Sequence, residues 1–311
     1  MKGKTLEIRV ATVPTVNGES AVLRILAAGG AMPVEKLALS DSNHEKILKL
    51  SDHPHGLLLV VGPTGSGKTT TLHAVLGHIN KPKKKIWTAE DPVEITQPGL
   101  QQVQVQKNVM SFADAMRAFL RADPDVILIG EMRDEETASI AVEASLTGHL
   151  VLSTLHTNSA PETITRLLDL GLDPVNFSDA LLGILAQRLM RTLCKNCKEA
   201  YVPEAKEIDH LIGLYGEEAF PELGVDPDAV ELYRAKGCPE CGDTGYRGRV
   251  GVHEVLVGTP ELQAMIYRKA PLAEIKQQAS RDGMRTLRQD GIAKIFQGLS
   301  DYEQLLSITA T

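Results

Sequence analysis

The run Gly62-Pro63-Thr64-Gly65-Ser66-Gly67-Lys68-Thr69 has the residue types that a phosphate chain requires. Glycines at 62, 65 and 67 let the backbone approach the phosphates and turn its N–H groups toward them. The ammonium of Lys68 can reach the outer phosphates, and the hydroxyl of Thr69 can enter the coordination sphere of Mg²⁺. Thr70 opens the following helical stretch and completes the candidate nucleotide-binding set. The pattern indicates a site for a nucleoside triphosphate.

Three downstream segments carry groups that could act on such a ligand. Glu90, Asp91 and Glu94 follow the apolar run Ile86-Trp87-Thr88-Ala89, with a solvated acidic loop as the alternative. Asp125 and Glu131 bracket Val126-Ile127-Leu128-Ile129-Gly130, and only one can face the phosphates. Six residues at about 3.3 Å each place them nearly 20 Å apart. Glu131 lies at the carboxyl end and reads as the Walker B acid, whereas Asp125 reads as a strand entry. His149 and His156 bracket Leu150 to Leu155. Lone histidines are more often structural, but His156, at the strand exit, could hydrogen-bond a terminal phosphate. A separate constellation is Cys194-x-x-Cys197 with Cys238-x-x-Cys241, which lie 40 residues apart. Four thiolates in two such knuckles can close a tetrahedral Zn²⁺ site, a reading favoured over a redox dithiol pair.

These groups need elements to hold them. Leu57-Leu58-Leu59-Val60-Val61 reads as a buried strand before the glycine-rich turn, and Thr70 to Leu76 as a helix after it. In an open α/β sheet, ligands bind beyond the carboxyl ends of the strands, where Glu94, Glu131 and His156 would then gather. Ser111 with Asp114 forms a capping box before the stripe Phe112, Met116, Phe119 and Leu120. Ser159-Ala160-Pro161-Glu162 opens another helix, and helices are expected to continue to Arg191. A helix is expected near residues 204 to 216, a returning strand at Tyr246 to Val252, and helices from Pro260 onward with Gly283 and Gly291 as interruptions. Near the start, Asn17-Gly18 joins two alternating stretches into a hairpin carrying Arg9 and Arg24, which read on their own as strand surface.

Composition bounds the function. The 311 residues suit about two domains, and 43% hydrophobic with 23% charged content suits a globular chain. A net charge of −7 gives no basic footprint for nucleic acid. The lysines at 81, 83, 84 and 85 read as a solvated turn. No apolar run approaches a membrane span, so a cytoplasmic protein is expected.

Together these segments resemble the secretion ATPase superfamily, and most closely the assembly ATPases of type II secretion and type IV pili. Thr88 to Glu94 is similar to that family's acidic box, Asp125 to Asp134 to its Walker B region, and Thr147 to Asn158 to its histidine box. The cysteine pairs with Thr244-Gly245-Tyr246-Arg247-Gly248-Arg249 are similar to its metal-binding insert. The resemblance implies an α/β RecA-like P-loop core (residues 34–193), a tetracysteine zinc subdomain (194–245), a strand returning to the core (246–259) and a C-terminal helical domain (260–311). Residues 1–33 would be the remnant of an N-terminal, PAS-like sheet domain, the chain starting partway through a longer protein. The implied activity is that of a homohexameric motor hydrolysing ATP with Mg²⁺ at subunit boundaries. It would drive an inner-membrane platform protein, after recruitment by an actin-like component of the membrane complex. Glu94 would be the general base, Glu131 with Thr69 would hold Mg²⁺, and His156 would read the γ-phosphate with His149 as a further catalytic candidate. Arg9 and Arg24 would reach a phosphate across the interface. A RecA-like nucleic-acid motor, a pilus retraction ATPase and a non-motor nucleotide switch are the alternatives. The acidic balance argues against the first, and the tetracysteine insert against the second.

Overall fold

A computed structural model describes residues 7–26, 30–106 and 109–309. The chain opens with β1 (Glu7–Thr15) and β2 (Gly18–Leu26), an antiparallel hairpin in which Arg9 is the register partner of Arg24. The side chains of those two arginines lie outside the described ones. Then come α1 (Asp41–Ser51), β3 (Gly56–Val61), α2 (Lys68–Ile79), β4 (Ile86–Glu90), β5 (Leu100–Gln104), α3 (Phe112–Leu120), β6 (Val126–Ile129), α4 (Glu135–Leu146) and β7 (Leu150–Leu155). α5 (Ala160–Asp169) and α6 (Pro174–Ala180) lead into β8 (Leu181–Leu193). β9 (Glu199–Tyr201), α7 (Ala205–Tyr215) and β10 (Leu232–Arg234) form a small unit before β11 (Tyr246–Val257). Helices α8 (Pro260–Tyr267), α9 (Leu272–Arg281), α10 (Leu287–Phe296) and α11 (Tyr302–Thr309) close the chain.

Seven strands make the main sheet in the order β11-β8-β3-β7-β6-β4-β5, parallel except for the β11–β8 pair. Its central strands are apolar throughout because both faces are covered, as parallel sheets require. In β3, Leu57, Leu59 and Val61 pack with Met116, Phe119, Ala141 and Phe177 on one side. Leu58 and Val60 pack with Ile47, Leu72, Leu76 and Ile79 on the other. β6 and β7 alternate in the same way, so α1 and α2 cover one face and α3 to α6 the other. Truncating any of these leucines to alanine removes about 2–5 kcal/mol.

The run from Leu181 to Leu193 departs from expectation, being strand where helix was anticipated. Its apolar spacing suits a helix, but tertiary pairing decides. It lies between β3 and β11, and a Cβ on Gly183 would stand 2.7 Å from the Leu256 carbonyl oxygen. Gly291 does not interrupt α10. It gives α11 room, since a Cβ there would sit 2.4 Å from a Leu305 methyl.

A buried polar cluster fastens α10 to β11. The Glu254 carboxylate accepts from Ala160 N (2.7 Å) and Leu287 N (3.3 Å), the first residues of α5 and α10. Each helix thus meets a carboxyl acceptor at its positive end, and these two backbone donors oppose the burial that pushes the Glu254 carboxyl up. Asp290 accepts from His253 N (2.7 Å) and pairs with buried Lys294. Burial, aided by the Lys294 charge, pushes the His253 imidazole down to about 3. An unfolded histidine titrates near about 6.5. This group's contribution is therefore complete above that value and is lost as pH falls toward the folded value, at up to about 1.4 kcal/mol per pH unit. In His253→Gln the acid slope of stability should flatten, read by urea unfolding between about pH 7 and about pH 4. An unchanged slope would contradict the assignment.

Candidate nucleotide site and tetracysteine centre

The glycine-rich turn leaves β3 at Val61 and enters α2 at Lys68. Gly62 has φ +147°, and a Cβ there would lie 2.4 Å from Gln187 O and 2.7 Å from Ser66 Oγ, so no side chain fits. Gly67, at φ +91°, caps α2 in a conformation costly for other residues. The loop N–H groups and the amino end of α2 together favour an anion. Lys68 Nζ donates to Gly62 O (2.7 Å) and Pro63 O (3.1 Å), and its residue lines the cleft. Burial holds the Lys68 ammonium below its usual pKa, opposed by the Glu131 charge. Gln187 Nε2 donates to Ser66 O at 2.6 Å, so β8 braces the loop from below. Gln187 escaped the sequence reading because its strand reads as helix.

Lys68, Thr69, Glu90, Glu94, Glu131 and Thr154 line one cleft at the carboxyl ends of β3, β4, β6 and β7. Two β7 hydroxyls fix the exit of β6: Ser153 Oγ donates to Ile129 O (2.8 Å), and Thr154 Oγ1 to Gly130 O (2.6 Å). The next residue, Glu131, stands 3.1 Å from His156 Nε2 through Oε1 and accepts from Arg133 Nε at 2.7 Å through Oε2. His156 meets the cleft through Glu131 and lies on an adjoining cavity shared with Arg133 and Arg166. Asp125 sits at the opposite strand end, where it accepts from Lys85 N at 2.7 Å. His149 is also at that far end. It precedes β7 by one residue, with Nδ1 3.0 Å from Ala144 O, so within this chain it does not join His156.

The acids in the cleft differ in what they have left to offer. Both Glu90 oxygens are engaged, one by His73 Nε2 (2.9 Å) and the other by Thr88 Oγ1 (2.6 Å) and Gln102 Nε2 (3.1 Å). Burial alone would push its pKa up, but these donors outweigh it and hold the carboxyl below its usual range. Glu94 lines the same cleft half-buried, and no described residue hydrogen-bonds or pairs with its carboxylate. The exposed Asp91 on the same lining likewise has no such partner, so Glu94 and Asp91 are the carboxylates left open to the cleft. The oxygens of Thr69 and Glu131 are the hard donors that Mg²⁺ takes, so the cleft fits a magnesium–triphosphate.

The cysteines converge. All four ligand atoms lie within 4.8 Å of one another, with Cys194–Cys238 and Cys197–Cys241 at 3.9 Å and Cys238–Cys241 at 3.7 Å. Zinc–sulfur bonds of about 2.3 Å at a tetrahedral centre require sulfurs about 3.8 Å apart. Cys238 N and Gly245 N each donate to Cys241 Sγ at 3.2 Å, which disperses thiolate charge. The donor set and spacing fit Zn²⁺.

Similarity to known proteins runs along nearly the whole chain. "Type II secretion system protein E" of Pseudomonas aeruginosa is 46% identical over 310 residues, which is 99% of this chain and 59% of that protein. "Type IV pilus assembly ATPase PilB" of Thermus thermophilus is 44% identical over 306 residues, covering 98% of this chain and 33% of the relative. The chain thus spans well under two thirds of the length of these relatives. Among solved structures, the pilus retraction motor PilT with bound ADP matches with a TM-score of 0.71 and 30% identity, over 98% of this chain and 74% of that one. A sequence profile described as "Type II/IV secretion system protein" matches residues 1–307, and the chain belongs to that family.

Proposed function

We propose that the chain is the ATP-hydrolysing portion of an assembly motor, working as a homohexamer in type II secretion or type IV pilus biogenesis. The observation that carries this reading is the convergence of Lys68, Thr69, Glu94 and Glu131 on one cleft, with His156 on Glu131. The triphosphate would lie along Gly62 to Thr70, taking backbone N–H groups and the Lys68 ammonium. Mg²⁺, held through Thr69 and Glu131, would neutralise charge on the outer phosphates. Glu94 orients the attacking water and takes its proton, being half-buried in the cleft and unsaturated by any described neighbour, whereas Asp91 on the same lining is exposed. Bond breaking at the terminal phosphate changes the charge facing Glu131, and His156, paired to that carboxylate, passes the change to the exit of β7. Arg9 and Arg24, opposite each other on the hairpin, are assigned to a phosphate of a neighbouring copy. Such an arginine is worth roughly 10³–10⁵ in rate in other phosphoryl-transfer enzymes. The zinc site is assigned a structural task in the subdomain of β9, α7 and β10. The motor would sit at the cytoplasmic face of the inner membrane, moving a platform protein there. Among the described residues, no helix is long and apolar enough to cross a membrane.

Lys68→Ala should lower ATP turnover by on the order of 10²–10³-fold. Normal turnover in a steady-state phosphate-release assay would remove the site assignment. In Glu94→Gln, nucleotide affinity should persist within about twofold while hydrolysis falls about 10²–10⁴-fold. Equilibrium titration with a fluorescent ATP analogue beside the turnover assay separates the two. Cys238→Ser should lose zinc and unfold at lower temperature with nucleotide affinity kept. Elemental analysis and a thermal scan check this, and a metal-free parent chain of equal stability would count against the zinc centre.

A further inference from the structure

Behind the cleft, four polar residues close a ring, one link of it through a backbone N–H. Glu90 Oε2 takes a hydrogen bond from His73 Nε2 (2.9 Å), and His73 Nδ1 takes one from Gln97 Nε2 (2.8 Å). The Gln97 backbone N–H donates to Gln102 Oε1 (2.9 Å), and Gln102 Nε2 returns to Glu90 Oε1 (3.1 Å). The donor directions follow from chemistry. A carboxylate only accepts, so His73 carries its proton on Nε2, which leaves Nδ1 as an acceptor. The Gln97 amide must then turn its nitrogen inward, and its second hydrogen goes to His73 O at 2.9 Å. His73 is wholly buried, and Glu90 and Gln97 are nearly so. Every side-chain N–H of the ring is spent on these contacts or on a backbone carbonyl, so none is left to donate to a ligand.

What the ring encloses gives it a use. β4 and β5 are neighbours and run parallel, yet only residues 91–99 join them. Parallel neighbours are ordinarily joined by a longer crossover, commonly a helix. Here an irregular segment must return from the cleft to the start of β5, so its backbone polar groups need side-chain partners. β5 supplies them. Gln102 Nε2 gives its second hydrogen to Ile95 O (2.8 Å), and Gln104 Oε1 accepts from Val93 N (3.3 Å). The residues on either side of Glu94 are therefore each tied to a β5 glutamine, while the Glu94 carboxylate stays with the cleft.

We propose that Gln102 and His73 are positioning residues for Glu94. The ring they close fixes the backbone at Ile95 and Gln97 against β5 and α2, and so sets where the Glu94 carboxylate stands relative to Lys68. This inference rests on the ATPase reading given above. A misplacement of about 1 Å at a reacting group can cost about 10²-fold in rate. The loss should therefore fall on the chemical step while the phosphate cradle, built on α2 and Gln187, keeps its grip.

The test uses the whole chain with Gln102→Met, which keeps length and removes all three hydrogen bonds, and His73→Phe, which keeps ring shape without the nitrogens. Each should lower kcat by about 10–100-fold, with the Kd for a non-hydrolysable ATP analogue within about twofold of the parent. Amide exchange at Val93 and Gln97 should speed up in Gln102→Met. The double variant should be little worse than either single one, because one ring is broken once. Unchanged kcat, or a Kd that weakens in step with kcat, overturns the proposal. Should Gln102→Met not fold, Gln102→Asn, which keeps the amide but shortens its reach, should show the same split. If the parent chain binds the analogue without Lys68-dependent turnover, the ATPase reading fails by itself. Exchange at Gln97, whose amide donates to Gln102, then still decides whether Gln102 holds the segment.

Discussion

The controlling constraint is that four parallel strands, buried on both faces, can shed polar chemistry only at their ends. β3, β4, β6 and β7 contain hardly a side chain that could bind a phosphate, since both faces are filled by α1 to α6. The phosphate loop, Glu94, Glu131 and His156 are therefore pushed to the one edge where those strands finish together. The loop can turn there because Gly62 leaves space that the Gln187 carbonyl and Ser66 hydroxyl already occupy. A methyl at that point would force apart the strand, the loop and β8 at once.

Within that edge, function is divided by how many donors each acid has been given. Glu90 has three, is held anionic, and serves as a fixed point for His73 and Gln102. Glu131 has one cation and one imidazole, Arg133 and His156, which tie it to the wall behind the cleft. Glu94 has none among the described residues. Three glutamates with the same intrinsic acidity thus become an anchor, a contact to the rear wall and a carboxylate left open to the cleft through their neighbours alone.

Much of this was legible in the chain, and the unread part has a physical pattern. The phosphate loop, the strand before it, the Ser111 capping box and the four cysteines depend on residues close in sequence. Short-range signals of that kind survive without tertiary context. β8 was missed because its apolar spacing satisfies a helix, and only its neighbours β3 and β11 make it a strand. β5 was missed for the opposite reason. Leu100 to Gln104 is too polar to read as core, and its glutamines acquire meaning only when segment 91–99 folds back over them. His149 and His156 stand a full strand length apart, as their bracketing of Leu150 to Leu155 implies.

The Glu254 carboxylate has a mechanical corollary. It is gripped by the leading amides of α5 and α10, and α5 begins four residues beyond His156. One carboxyl group, an oxygen to each amide, thus fixes the distance between the two helix starts. The start of α10 and the start of α5, close after His156, are therefore pinned to one residue of β11, beside the direct packing of α9 on α5.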